Sequence, residues 1–263
     1  RGDGMARRRI WLHMGTHKTG STSLQQTFHA HRDALRAAGL AYHGTAEAYP
    51  NLYSAFLSDP AGFDWNRASG LSAKELRARD AQVLARLGEA LEGETVPDVV
   101  ISSEFLSMLS PREMQRLRDF FGQYGEVRAI YVYREVLSWL ASDSQQMART
   151  GQRTEPTPAE TAFERVHDFP LRIAGVFGPE SLFVKFEEAA AAGLCDTVMA
   201  QAGLPTLADL GLRERVANPG TSDAAVRALF LYNRLHPFGA PGRRPERVHR
   251  LAALPGGRYR LAG

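Results

Sequence analysis

The chain has little cysteine and little lysine, and it lacks any long apolar run. Its single cysteine, Cys195, excludes an intramolecular disulfide and is typical of a reducing compartment, so we expect a cytoplasmic protein. No apolar stretch approaches the roughly 18 residues that a membrane-spanning helix needs, and we expect no stable membrane insertion. The formal net charge is only +3 over 263 residues, which gives no reason to expect nucleic acid as a partner.

Lysine occurs only at positions 18, 74 and 185, and the first of these lies in the segment Gly15–Thr22, G-T-H-K-T-G-S-T. The loop that binds nucleoside triphosphates reads G-x-x-x-x-G-K-[ST], with its lysine directly after the second glycine. Here Ser21 occupies that place, and the lysine lies three residues upstream at Lys18. A displaced ammonium group reaches a different oxygen of a bound anion, which indicates chemistry other than ordinary ATP or GTP chemistry.

The surroundings of this segment are typical of an anion site. Residues 9–14 form a short apolar run of strand character, and the apolar spacing of residues 22–38 predicts a helix that Gly39 ends. A strand, a glycine-bearing loop and a helix start direct backbone N–H groups and a positive dipole end at one point. Thr22 and Ser23 add hydroxyl groups. An ordinary strand-to-helix turn is the alternative, and the strand–loop–helix context favours anion binding.

Strands and helices alternate along the chain, which predicts an α/β fold. The predicted strands are 9–14, 40–43, 98–102, 127–133 and 181–186; the predicted helices include 72–92 and 110–122, which open with capping boxes, 135–149, and one capped by Thr157–Glu160. Residues 45–70 are predicted to be irregular but aromatic. Such alternation indicates three layers, with a central parallel sheet flanked by helices and functional groups at the carboxyl ends of its strands.

The composition also suggests how the chain is organised. We expect residues 1–8 to be disordered or derived from the expression vector, and residues 9–236 to form a single α/β domain. Residues 237–263 are rich in arginine, proline and glycine, and we expect a solvated basic segment there. The segment L-C-D-T-V-M predicts a helix, and Cys195 within it is expected to be a buried structural thiol.

Two further strand ends carry polar side chains. Arg134 follows the strand 127–133, and Ser142 comes eight residues later on the next helix. Ser103 and Glu104 follow the strand 98–102, and a carboxylate there is suited to take a proton from an attacking hydroxyl or amine. Taken singly, each of these residues could also be an ordinary surface, helix-capping or salt-bridging side chain.

Together these positions resemble the sulfotransferases that use 3′-phosphoadenosine 5′-phosphosulfate (PAPS), and most of all their bacterial, carbohydrate-type members. The family's 5′-phosphosulfate loop has the form K-[ST]-G-[ST]-[ST]-x-L, which the segment Lys18–Leu24 matches throughout. The family's 3′-phosphate site uses an arginine at a strand end and a serine eight residues later, as Arg134 and Ser142 are spaced. The likeness covers about residues 10–150 well; a segment from Asn218 to Ser222 before a helix is also similar.

The resemblance implies a P-loop-like fold, a role for each site residue, PAPS as donor and its bisphosphate PAP as product, without a metal. Lys18 would stabilise the leaving 5′-phosphate, and Arg134 with Ser142 would bind the 3′-phosphate. Glu104 would be the base, with His17 and His13 as rivals, of which His13 is expected to be structural. The 5′-phosphate would be cradled by the loop residues Thr19, Gly20, Ser21, Thr22 and Ser23.

Several alternatives stay open at this point. A P-loop kinase of a small molecule would need a lysine at position 21, and a non-catalytic nucleotide-binding protein would need no Glu104. The acceptor is a small molecule or a glycan, and the aromatic residues between Tyr42 and Trp65 either stack on it or belong to the core. The Arg-Lys-Gly tripeptide that closes over the 3′-phosphate in cytosolic members is absent. The sequence does not indicate an oligomeric state.

Overall fold

The computed structural model describes residues 7–163, 167–215, 220–239 and 243–261. Contacts divide the chain into two compact units. The first unit comprises Arg1–Tyr133 and Phe169–Arg215, and the second comprises Arg134–Asp168 and Val216–Gly263. The domain boundaries predicted at residues 8 and 236 stay predictions.

A five-stranded parallel sheet forms the centre of the first unit. Its strands are β1 Arg9–His13, β2 Leu40–Tyr42, β3 Asp98–Ser102, β4 Glu126–Tyr133 and β5 Leu182–Lys185. They lie in the order β2-β3-β1-β4-β5, and every neighbouring pair is parallel. The predicted α/β class is therefore confirmed, and β1 lies between the two strands whose ends carry the candidate polar residues.

Helices connect the strands. In chain order they are α1 Ser21–Ala30, α2 Arg32–Ala37, α3 Pro50–Phe56, α4 Asp64–Ser69, α5 Ala73–Glu92, α6 Pro111–Gly122, α7 Val136–Thr150, α8 Glu160–Phe163, α9 Phe169–Phe177, α10 Phe186–Ala192, α11 Leu194–Gln201, α12 Asp223–Leu235 and α13 Pro245–Ala252. Short 3-10 turns occupy Pro60–Gly62 and Leu106–Met108. Within the described ranges, no helix has both the length and the apolar character needed to cross a bilayer.

The sheet is covered on both faces, as the sequence predicts. Successive residues of a strand point to opposite faces, so Ile10 and Leu12 enter one core while Trp11 enters the other. Side chains of α3, α5, α6 and α9 fill the first core, and those of α1, α2, α10 and α11 fill the second. The result is a three-layer arrangement with the sheet in the middle.

Local sequence signals set several element boundaries correctly. Both predicted capping boxes form: Ser72 with Glu75 at the start of α5, and Ser110 with Glu113 at the start of α6. Gly39 has a positive φ of 90° directly after α2, where a left-handed residue ends a helix. Cys195 is buried in α11, and burial raises the pKa of its thiol, so the predicted structural role is confirmed.

Two predictions about the first unit are wrong. The predicted helix 22–38 is broken at His31, whose ring forms a 2.9 Å hydrogen bond with the distant carbonyl of Arg213. The segment 45–70 is not irregular, because it contains α3 and α4. Pro50 occupies the first turn of α3, where the missing N–H costs nothing.

The second unit is built from α7, α8, α12 and α13. Its core includes Ala148, Leu229 and Tyr259, so the described part of the basic C-terminal segment packs on helices instead of extending into solvent. The expected cap of α8 by Thr157 does not form. The Thr157 hydroxyl donates to Asp143 at 2.7 Å and so fastens the preceding loop to α7.

Truncation of Leu12 should destabilise the first unit strongly, because this central-strand side chain is fully buried. We expect Leu12→Ala to lower the free energy of unfolding by about 2–5 kcal/mol, from lost apolar burial and the cavity left behind. Leu171→Ala is the matched control on a side chain that is 61% exposed, and it should change stability by less than about 0.5 kcal/mol. Urea denaturation measures both, and similar losses would contradict the assignment of the core.

Candidate functional site

The candidate anion loop connects β1 to α1 and depends on two glycines. Gly20 precedes α1 with φ 81°, a left-handed conformation, and a Cβ at this position would overlap the Leu194 side chain. A Cβ on Gly15 would lie 2.5 Å from Ser21 Oγ and 2.8 Å from His13 Nε2. Both glycines are therefore required by close packing, and Gly20 also by its backbone conformation.

Lys18 has an unusual backbone. Its φ is 71°, and it is the only non-glycine residue with a positive φ in the parts of the chain that the structure describes. An L-residue pays roughly 1–2 kcal/mol for this conformation, which therefore persists only where the surroundings impose it. Such strain is typical of residues whose position serves a ligand, and it sets the direction of the lysine side chain from the loop.

Two hydroxyl groups of the loop turn inward. The Thr19 hydroxyl donates to the Thr16 carbonyl at 2.7 Å, and the Ser21 hydroxyl approaches the same oxygen at 3.5 Å. Both side chains are buried. They therefore support the shape of the loop, and the Ser21 side chain does not act as the kinase lysine would. Thr22 is half-buried and Ser23 is buried.

The start of α1 has the chemistry of an oxyanion site. Gly20 offers no side chain to cap the helix, and the first turn, Ser21–Ser23, holds no acidic residue. The backbone N–H groups of a helix's first turn and the positive end of the helix dipole favour a negative ligand there. The chemistry of this donor set, with Lys18 in the same loop, fits a phosphate or sulfate group.

Glu104 and His17 form a pair beside the loop. His17 Nδ1 lies 3.2 Å from Glu104 Oε2, and the His17 ring also contacts the edge of Phe105 at 5.4 Å between centroids. Burial raises the pKa of Glu104, but the hydrogen bond from His17 and the charges of His17, Lys18 and His13 outweigh it. The pKa of Glu104 therefore lies below its ordinary value, and the group is a carboxylate at neutral pH.

His13 lies at the end of β1, beneath the loop. Its Nδ1 is 2.8 Å from the Ser102 hydroxyl, and the two residues are partners in the register of β1 and β3. Burial lowers the pKa of His13 to about 4, although the charge of Glu104 acts in the opposite direction. The ring is therefore neutral near pH 7, in accord with a structural role more than with proton transfer to solvent.

The structure assigns Arg134 and Ser142 to the second unit, whereas the loop and Glu104 belong to the first. Arg134 directly follows β4 and is buried, and its Nε donates to Ser138 Oγ at 2.8 Å. Ser142 is half-buried on α7, one turn beyond Ser138. Ser138 and Ser142 are four residues apart on one face of α7, and Arg134 lies before the helix begins at Val136.

Sequence reasoning missed three polar residues, one that bonds Arg134 in the second unit and two at the anion loop in the first. Ser138 carries the hydrogen bond of Arg134, and its four-residue spacing from both Arg134 and Ser142 was a usable signal. The Ser107 hydroxyl donates to the Gly15 carbonyl at 3.4 Å, and no local pattern indicates this contact because 92 residues separate the partners. Thr16 supplies the carbonyl that both inward hydroxyls approach.

The segment from Asn218 to Ser222 is described only in part. Asn218 lies outside the described residues, while Ser222 accepts a hydrogen bond from the Ala225 N–H at 3.1 Å and caps α12. In the described part of the chain, no three His, Cys, Asp or Glu side chains are grouped as metal ligands would be.

No family model matches this sequence, and no curated protein matches it. Among solved structures, the chain is similar to a sulfotransferase from Alicyclobacillus acidocaldarius, with 17% identity and a TM-score of 0.47 over 86% of this chain and 94% of that one. It is also similar to a retinol dehydratase in complex with androsterone and inactive cofactor PAP, with 15% identity and a TM-score of 0.34 over 93% of this chain and 63% of that one. A functional conclusion therefore depends on the residues of the site.

The strained backbone of Lys18 makes a prediction about stability. Lys18→Gly should be more stable than Lys18→Ala by about 1 kcal/mol, because glycine adopts a positive φ without steric cost. Lys74, in the first turn of α5, is the matched control. There the alanine variant should be the more stable one, because alanine favours helix. Urea denaturation of the four variants gives the comparison, and the same order at both positions would contradict a left-handed Lys18.

Proposed function

We propose that this protein is a PAPS-dependent sulfotransferase, which transfers a sulfuryl group to a hydroxyl or amine of an acceptor. One observation carries the proposal: the lysine of the anion loop is displaced to Lys18, beside the ionised Glu104, while an inward-turned Ser21 fills the kinase lysine position. Lys18 and Glu104 carry opposite charges close together. This suits a reaction in which the acceptor loses a proton while negative charge develops on the leaving phosphate.

The residues divide the reaction between them. Glu104 accepts the proton of the acceptor hydroxyl as the acceptor oxygen forms its bond to sulfur. The bond between sulfur and the bridging phosphate oxygen breaks, and its electron pair stays on the leaving 5′-phosphate. Lys18 and the loop N–H groups stabilise that developing charge. The donor supplies the activated sulfuryl group, and positioning with charge stabilisation is the protein's contribution, as in phosphoryl transfer.

Arg134 would bind the 3′-phosphate of the donor. By resemblance it acts with Ser142, and its hydrogen bond to Ser138 supports this role because the bond fixes the direction of the guanidinium group. A buried arginine with a planar fork of donors recognises phosphate oxygens in pairs. The site residues proposed for the nucleotide are Lys18, Thr19, Gly20, Ser21, Thr22, Ser23, Arg134 and Ser142.

Glu104 is the proposed base, and His17 is its partner. The lowered pKa of Glu104 keeps the group unprotonated at neutral pH, as a base must be. A carboxylate of low pKa is a weak base; burial acts toward greater basicity, whereas the His17 hydrogen bond fixes the position of the carboxylate. His17, whose Nδ1 lies 3.2 Å away and donates to the carboxylate, is placed to hold it in position.

The acceptor is proposed to be a small molecule or a glycan. Aromatic residues of the segment 42–65 pack on other rings of the first unit: Tyr53 and Phe63 contact each other and Phe105, with centroid distances of 4.9–5.8 Å. These rings are part of the hydrophobic core of the first unit. Trp65 on α4 differs, because 56% of its surface is exposed, and a planar or sugar ring is suited to stack on it. A cytoplasmic location stays a prediction.

The choice of nucleotide tests the proposed function directly. We expect adenosine 3′,5′-bisphosphate to raise the melting temperature, and ATP with Mg²⁺ to have little effect, because Ser21 cannot replace the phosphate-binding lysine of a kinase. Thermal shift with both ligands at matched concentrations measures this. Stabilisation by ATP–Mg²⁺ alone, or equally by both, would contradict a sulfotransferase. Arg134→Ala should remove most of the bisphosphate effect, whereas the exposed Arg149→Ala should leave it unchanged.

Replacement of the proposed base should affect turnover and not donor binding. We expect Glu104→Gln to lower kcat by about 10²–10⁴-fold, because the amide cannot accept the acceptor's proton. Bisphosphate affinity should change little. Glu89→Gln, on the exposed face of α5, is the matched control.

The pH dependence of the same reaction follows from the lowered pKa of Glu104. The limb of the profile that belongs to Glu104 should lie below the ordinary range of a glutamate, and activity should fall only as the pH drops through that lowered value. Sulfate transfer from labelled donor, measured across glycans, phenols and amines, supplies the assay. Full turnover in Glu104→Gln would remove this residue as the base.

A further inference from the structure

His13 has a buried ring nitrogen that the proposed reaction does not use. Only 1% of the residue is exposed, and its Nε2 has no hydrogen-bond partner among the residues that the structure describes. Buried polar atoms without a partner are rare because losing water without a replacement bond costs free energy. This atom therefore requires an explanation in terms of what it faces.

The contact on the other side of the ring is compatible with a bare Nε2. His13 Nδ1 lies 2.8 Å from Ser102 Oγ, and a hydroxyl oxygen can either accept or donate there. In the Nδ1–H tautomer, Ser102 Oγ accepts the ring proton and Nε2 presents a lone pair.

Ser21 lies on the other side of the space that Nε2 faces. An added Cβ on Gly15 would lie 2.8 Å from His13 Nε2 and 2.5 Å from Ser21 Oγ, so both atoms border the same notch. The bond that Ser21 Oγ makes to the Thr16 carbonyl is long, at 3.5 Å, and correspondingly weak. The Ser21 hydroxyl is thus a weakly bound donor, and it borders the same notch as His13 Nε2, which has no partner among the described residues.

We propose that His13 is a positioning residue of the anion loop, accepting the hydroxyl proton of Ser21 at Nε2. The bond fixes the first residue of α1 from below, and so fixes the direction of the backbone N–H groups at the helix start. Gly15 is the residue that leaves room for this bond, because any side chain there would separate the two groups. The inference rests on the proposed function only in that the loop receives an oxyanion.

Two amide substitutions at His13 test the roles of its two ring nitrogens separately. Asn in place of His13 puts its amide near the position of Nδ1 and keeps the contact to Ser102, whereas Gln reaches the position of Nε2. We expect His13→Asn and Ser21→Ala each to weaken binding of adenosine 3′,5′-bisphosphate about five- to tenfold, the size of one hydrogen bond. The double variant should be no weaker than either single one. His13→Gln should stay within about twofold of the unmodified protein.

Calorimetric titration gives these affinities. Urea denaturation of the unmodified protein, the two single variants His13→Asn and Ser21→Ala, and the double variant shows without any ligand whether their effects on stability are coupled. Additive effects of His13→Asn and Ser21→Ala in both measurements would overturn the inference. Coupling in stability with unchanged bisphosphate affinity would show that His13 is structural only, and would overturn the positioning role. If the unmodified protein binds no bisphosphate, the proposed function fails, while the stability cycle and the tautomer still decide the contact.

The tautomer is measured independently by nitrogen NMR of the full chain labelled at histidine. We expect the His13 signals of a neutral ring with a protonated Nδ1 and an unprotonated Nε2 at pH 7. A proton on Nε2 would overturn the inference, because that atom could not then accept from Ser21. In Ser21→Ala the Nε2 resonance should shift while that of Nδ1 stays, since only the former loses its partner.

Discussion

The parallel pairing of β1 with strands on both sides is the constraint on which the site depends. The carbonyl of His13 accepts a hydrogen bond from Ser103, and the N–H of Met14 donates to Ile130, so the carboxyl end of β1 is fixed from two directions. The anion loop begins at this fixed point, and Glu104 follows the neighbouring strand. A sheet whose strands were one residue out of register would turn these side chains to the other face.

Charge is distributed unevenly around that point. Burial raises the pKa of Glu104, and the hydrogen bond from His17 together with the neighbouring positive charge outweighs that effect. His13 is itself neutral because burial dominates there. One edge of the sheet thus holds a carboxylate, an ammonium group and a helix start that favours anions. The proposed sulfuryl transfer assigns the proton to this carboxylate and the oxyanion to the helix start.

Local patterns predicted much of the fold, and they failed where distant contacts decide. The capping boxes at Ser72 and Ser110 depend on residues three positions apart, so they could be predicted and are confirmed. The break at His31 depends on Arg213, and the inward turn of Ser107 depends on Gly15. For the site, the loop residues and Glu104 could be named from strand ends and motif spacing. Ser138, the hydrogen-bond partner of Arg134, was not predicted, although its four-residue spacing from Arg134 is a local signal.

The sequence by itself determined the order of strands and helices, the two glycines and the displaced lysine, because propensity, capping and motif spacing act over a few neighbouring residues. Only the tertiary structure decided what those residues do. It paired His17 with Glu104, turned Ser21 inward, and placed His13 between Ser102 and the loop. The physical reason is that these contacts join segments up to 89 residues apart, which meet only once the parallel sheet has set their register.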